Sequence, residues 1–203
     1  LVLILFDGGM QLRWSRFRAT AVPIVGVGVI GTFLTTAAVG GLAHLVLGLS
    51  WYLCLLLGTA VAPTDPAVVF SVLGRREVEG RSGILLEGES GANDPVGIAL
   101  MLGLIQLATH ADATFWVVVR VFSEQMAIGL AIGIVGGLVE AGLLRRVGLP
   151  SAGLYSVRTL ALAGVVYGAT TVAHGSGFLA VFVAGLVVGD VRAPFKEEIE
   201  VFQ

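Results

Sequence analysis

Apolar stretches of about one bilayer thickness recur along this chain, separated by short polar or basic connections. A helix needs about 18 or more mainly apolar residues to cross the hydrocarbon core. On that pattern, spans fall at roughly 20–49, 51–74, 82–109, 114–144, 151–173 and 176–190, with a partial span at 1–12. The expectation is an all-α polytopic membrane protein, with residues 1–203 forming one transmembrane domain. The opening LVLILF is too short to span and lacks the basic start and cleavage site of a signal peptide. The closing KEEIEVFQ stops as abruptly, so the chain reads as a piece of a longer protein with helices missing at both ends.

The basic residues test this layout. Arg13, Arg16 and Arg18 follow the partial span, Arg75, Arg76 and Arg81 come two crossings later, then Arg145 and Arg146, then Arg192 and Lys196. All ten fall on alternate connections, and the connections between them carry none. That asymmetry puts the basic side in the cytoplasm. Trp14, Trp51 and Trp116 land near interfaces, where an aromatic belt belongs. Arg120, four residues before Glu124, reads as part of a polar interfacial turn. Arg158, two turns into its span, reads as a side chain snorkelling to the interface. Gly129, Gly133 and Gly137 repeat every four residues, a spacing that lets two helix backbones pack closely in lipid.

Composition agrees: 56% of the residues are hydrophobic and 13% charged, against about 25% charged in a soluble domain. A net charge of −2 gives no reason to expect a nucleic-acid partner. Cys54 is the single cysteine, so a disulfide framework is ruled out.

Two helices break the apolar rule. In A-V-A-P-T-D-P-A-V-V-F, Pro63 and Pro66 flank Thr64 and Asp65. Two prolines three apart remove backbone donors and unwind the helix. Unwound backbone at membrane depth is tolerated where it is buried in protein or lines a cavity. Freed carbonyls with a carboxylate and a hydroxyl are oxygen ligands for a small hard cation. In the next span, Glu87, Glu89, Ser90, Asn93 and Asp94 crowd into two turns. Ser90 and Asp94 share one face, and Glu89 and Asn93 share its neighbour. An ionised side chain at the bilayer centre costs about 2.5 to 3.5 kcal/mol on the lenient insertion scale, so packing alone explains this cluster poorly. Asp65 and Asp94 lie roughly 14 and 18 Å from the cytoplasmic side, near the middle of the core. Secondary transporters bind their ions at that depth.

T-D-P at Thr64 to Pro66, E-S-G-A-N-D at Glu89 to Asp94, F-D-G-G at Phe6 to Gly9 and G-S-G-F-L-A-V-F-V-A-G-L at Gly175 to Leu186 together resemble the monovalent cation:proton antiporter family. The likeness is to its NhaP-like, cell-volume-regulation branch. The resemblance implies a homodimer in the plasma membrane, built from inverted repeats, in which an ion-carrying helix bundle moves against a dimerisation domain. It makes Asp94 the carboxylate that binds either a monovalent cation (Na⁺ or K⁺) or a proton. Asp65 and Thr64 complete the ion site, with Ser90 beside Asp94. Asn93 orients a neighbouring acid, with Asp7 as the candidate, and Glu89 pairs with an arginine on a helix beyond Gln203. No cofactor and no catalytic residue are expected. Asn93-Asp94, rather than two adjacent aspartates, resembles the electroneutral branch.

From the residues alone, proton and cation would compete for the same carboxylate oxygens, which suffices for coupled exchange at a site exposed to each side in turn. Transport would then slow at acid pH. A cation channel using the same acidic site is one alternative, although channels build their filters from symmetric rings. An intramembrane serine protease of rhomboid type, using Ser90 and His174, is another. It leaves Asp65, Asn93 and Asp94 without a role and needs a Ser–His pair within hydrogen-bond reach. His44, His110 and His174 all fall toward the outer side and read as interfacial polar residues.

Overall fold

The computed structural model describes residues 1–65, 81–110 and 112–191, and among them the chain is all-helical. The helices are α1 (Val2–Leu12), α2 (Trp14–Val25), a π-helical turn (Gly26–Gly31), α3 (Thr32–Leu47), α4 (Trp51–Val61), α5 (Arg81–Thr109), α6 (Phe115–Arg146), α7 (Ala152–Val172) and α8 (Gly177–Gly189). Among the described residues, three helices are long and apolar enough to cross a membrane: Trp14–Leu47, which runs through the π-turn, Ser82–Thr109 and Phe115–Arg146.

Of the expected spans, those at 20–49, 82–109 and 114–144 correspond to these three helices, while α7 falls within 151–173 and α8, a shorter apolar helix of 13 residues, within 176–190. The span expected at 20–49 begins at Trp14, because α1 and α2 are parted by Arg13 alone, at φ 58. Arg16 and Arg18 therefore lie inside α2, not in a connection. Within the expected span 51–74, α4 runs to Val61 and residues 62–65 are not helical, while residues 66–80 lie outside the described residues.

The chain forms two compact units, Leu1–Ala19 with Ala127–Gln203, and Thr20–Met126. In the first, α8 is the centre, with ten of its 13 residues buried. This helix is apolar on every side and lies enclosed by its neighbours, and glycine makes the enclosure tight. A Cβ at Gly185 or Gly189 would run into the carbonyl oxygens of Phe6 and Met10 on α1. Along α6, a Cβ at Gly129 would lie 2.7 Å from the Ser176 carbonyl oxygen, and one at Gly133 would lie 2.6 Å from that of Ala180. The four-residue glycine repeat is thus the seam on which α6 meets α8. Ser176 Oγ caps α8 by accepting from Leu179 N at 3.3 Å. At its far end Asp190 accepts from Ser15 N and Ser15 Oγ at 2.9 and 2.7 Å, satisfying a donor in the first turn of α2.

In the second unit, α3 crosses α4 where Gly58 leaves room for the Thr36 carbonyl and Gly40 for that of Cys54. The turn between them is closed by His44, whose Nδ1 lies 2.6 Å from the Leu49 carbonyl oxygen and whose ring stacks on Trp51 at 4.1 Å. Leu100 and Leu104 of α5 pack with Val118 and Phe122 of α6. Phe33 meets Phe122 edge-on at 5.3 Å.

Candidate functional site

In the second unit, α4 stops at Val61 and residues 62–65 are not helical. Pro63 starts this change: it has no N–H to give, and its ring opposes a continued helix. The ring lies on α5, where a Cβ at Gly97 would come within 2.8 Å of Pro63 Cγ. Pro66 lies outside the described residues. Beyond Pro63 the chain carries Thr64 to the acidic turn of α5. Thr64 Oγ1 donates toward Glu89, with Oε2 at 3.0 Å and Oε1 at 3.2 Å. Asn93 Nδ2 donates to Thr64 Oγ1 at 2.9 Å and to Glu89 Oε1 at 2.7 Å.

Thr64, Glu89 and Asn93 therefore form one closed hydrogen-bond network between the end of α4 and two successive turns of α5. The acid that Asn93 bonds is Glu89, on its own helix. Asn93 is 1% exposed, and its Oδ1 has no hydrogen-bond partner among the described residues. Ser90 is buried on the same helix, one turn before the half-buried Asp94. The Glu89 carboxylate, the Thr64 hydroxyl and the Asn93 amide thus gather where α4 ends, with Asp94 on the next turn of α5.

Such a set offers oxygens only. It suits a small hard cation, and a proton can replace that cation on any of the carboxylates. Among the described residues no group of three or more His, Cys, Asp or Glu side chains could hold a metal ion. Asp7 lies in the first unit, where its Oδ2 accepts from Gln11 Nε2 at 2.6 Å.

A second polar cluster lies in the first unit, and reading the sequence alone misses half of it. Glu140 is 2% exposed and accepts from Thr159 Oγ1 at 3.0 Å, with Arg158 Nε 3.9 Å from its Oε1. Arg158 also donates to the Val147 carbonyl at 3.2 Å, and its guanidinium lies 5.0 Å from the centre of the Tyr155 ring. It reaches toward the end of its helix, as a snorkelling side chain does, and it is also one half of a buried ion pair. The signal that would find Glu140 is a lone acid in the apolar C-terminal half of α6, six residues before Arg146.

Membrane-length helices, with a shorter apolar helix that ends at a proline beside a half-buried acidic turn, define a polytopic membrane protein with a polar site. Residues 1–202 match the family described as "Sodium/hydrogen exchanger, transmembrane", and the chain belongs to that family. It is 38% identical over 196 residues to the "K(+)/H(+) antiporter NhaP" of Alkalimonas amylolytica, covering 96% of this chain and 34% of that protein. It is 35% identical over 192 residues to the "K(+)/H(+) antiporter NhaP2" of Shewanella baltica, covering 94% and 33%. It is 30% identical over 190 residues to the "Na(+)/H(+) antiporter ApNhaP" of Aphanothece halophytica, covering 92% and 36%. The chain spans about a third of the length of these relatives.

Proposed function

We propose that this chain forms the ion-binding part of a secondary antiporter that exchanges a monovalent cation, Na⁺ or K⁺, for a proton. Asp94 is the carboxylate that takes either ion. Asp65, Thr64 and Ser90 complete the site, and Asn93 and Glu89 hold it in place. The observation that carries this reading is the Thr64–Glu89–Asn93 network, which ties the broken end of α4 to the turn of α5 that presents Asp94. The relatives' names supply the ions: two exchange K⁺ and one Na⁺ for H⁺.

Binding a proton and binding a cation are alternatives at the same oxygens, and a site that opens to one side at a time couples the two fluxes. Asparagine beside Asp94 leaves one titrating charge at this pair, which accords with one cation exchanged for one proton and an electroneutral cycle. No covalent step and no cofactor take part. The protein works as a homodimer in the plasma membrane with its basic connections on the cytoplasmic side, as the alternation of Lys and Arg supports.

The test reconstitutes the whole protein in proteoliposomes with a pH-sensitive dye in the lumen and adds Na⁺ or K⁺ outside. Wild type should turn the lumen alkaline and Asp94→Asn should not. A wild type silent to both ions, or a mutant that matches it, would overturn the reading.

A further inference from the structure

Exchange at Asp94 uses α5 and the broken end of α4, but it does not explain why the helix packed behind the acidic turn carries a π-turn. Thr20, Ile24, Gly28, Thr32, Thr36 and Gly40 are all buried, at unbroken four-residue intervals. In an α-helix each such step overshoots a full turn by about 40°, so five steps carry the stripe about 200° round the axis. A π-turn takes in one extra residue, or about 100°, and so recovers about half of that drift. One stripe can then serve two partners. Ile24 and Gly28 meet α5 at Gly88 and Ala92, while Thr36 and Gly40 meet α4 at Gly58 and Cys54.

The contact with α5 falls on the turn that builds the site. A Cβ at Gly28 would lie 2.8 Å from Ala92 Cβ, 3.2 Å from the Glu89 carbonyl oxygen and 3.5 Å from Asn93 N. Glu89 and Asn93 are the α5 residues bonded to Thr64, and Asn93 also carries the buried Oδ1 without a partner among the described residues. Thr32 Oγ1 donates to the Gly28 carbonyl, which ties the π-turn to the first residue of α3.

We propose that Gly28 and Thr32 are positioning residues for cation binding. The π-turn holds the Glu89–Asn93 turn of α5 at the height where its oxygens meet Thr64, and it can do so only without a side chain at position 28. The inference rests on the antiport reading above. A methyl group at position 28 must push α5 away by part of an ångström, since the nearest atoms are a Cβ and backbone rather than the flexible end of a side chain.

The test measures initial exchange rates against cation concentration for the whole protein in proteoliposomes, as wild type, Gly28→Ala, Thr32→Val and Thr32→Ser. Gly28→Ala should raise the KM for the cation about tenfold with Vmax little changed, the size expected when binding groups are displaced by well under 1 Å. Thr32→Val should raise KM in the same sense, and Thr32→Ser, which keeps the hydroxyl, should behave as wild type. An unchanged KM in Gly28→Ala and Thr32→Val, or a fall in Vmax at constant KM, overturns the proposal. If Gly28→Ala fails to assemble, the Thr32 pair decides, and equal KM values for its Val and Ser forms overturn it. A wild type without exchange refutes the antiport reading itself, and this inference falls with it.

Discussion

Arg158→Met and Glu140→Gln, made singly and together, should give a strongly non-additive set of stabilities. Glu140 is 2% exposed, and besides Arg158 its described partner is the Thr159 hydroxyl. Removing Arg158 leaves that carboxylate buried without a cation, a change that costs about 3 to 5 kcal/mol. Removing the charge of Glu140 should cost about half as much, because Arg158 keeps the Val147 carbonyl and the Tyr155 ring and its side chain is 16% exposed. The double variant has no uncompensated charge and should lie within about 1 kcal/mol of wild type. For a folded unit of about 150 to 250 residues, 1 kcal/mol corresponds to about 2 to 4 °C of melting temperature. Arg158→Met should therefore melt about 10 °C early, and Glu140→Gln in the same background should restore most of the loss. The assay is fluorescence-detected unfolding of the protein in detergent at neutral pH. Losses that simply add in the double variant would refute the pairing, and so would a stable Arg158→Met.

Three further outcomes follow from the same structure. Thr64→Val deprives Asn93 and Glu89 of the hydroxyl between them and should raise the KM for the cation roughly fivefold, about 1 kcal/mol, while Thr64→Ser should not; rates in proteoliposomes measure this. If cation and proton share Asp94, acidification should raise the apparent KM and leave Vmax unchanged, because protons occupy a growing share of sites as pH falls. A fall in Vmax at constant KM would argue for a separate titrating switch. Gly133→Ala should destabilise the protein by about 1 to 3 kcal/mol, because the new Cβ meets the Ala180 backbone. Gly168→Ala, which meets nothing within 4 Å, should be neutral or slightly stabilising in the same melting assay.

Polar residues in an apolar helix are legible from sequence because a charge in lipid needs a reason, and Asp94, Glu89, Asn93 and the Pro63–Thr64 break stand out on that ground. Their partners are much less legible. Nothing in the chain says that Asn93 divides its two donors between Glu89 and Thr64, since that depends on how the end of α4 lies on α5. Glu140 and Arg158 are 18 positions apart on different helices, and each read alone is an ordinary side chain near a helix end. The glycine repeat of α6 announces a seam, but its partner α8 emerges only from the packing. The π-turn is the least legible element. Its GVGVIG reads as helix, and the stripe that requires it becomes visible once α4 and α5 are known to lie along one helix.

The threonines show how the fold separates structural from functional polarity. In an apolar surrounding a hydroxyl has to be satisfied, and the nearest acceptor is the carbonyl one turn back. Thr32, Thr59, Thr109, Thr170 and Thr171 all take that course, donating to the residue four positions earlier on the same helix or helical run. They add no polarity that another element could use. Thr64 and Thr159 depart from it, and each donates to a carboxylate on a different helix. Thr64 turns outward because α4 has ended at Val61 and Thr64 itself is no longer helical, so its side chain is not set over the carbonyl one turn back. Thr159 sits within an intact helix and still turns to Glu140, because an acid buried in the first unit is the stronger acceptor. A threonine whose hydroxyl leaves its own helix therefore marks each of the two polar clusters in this chain.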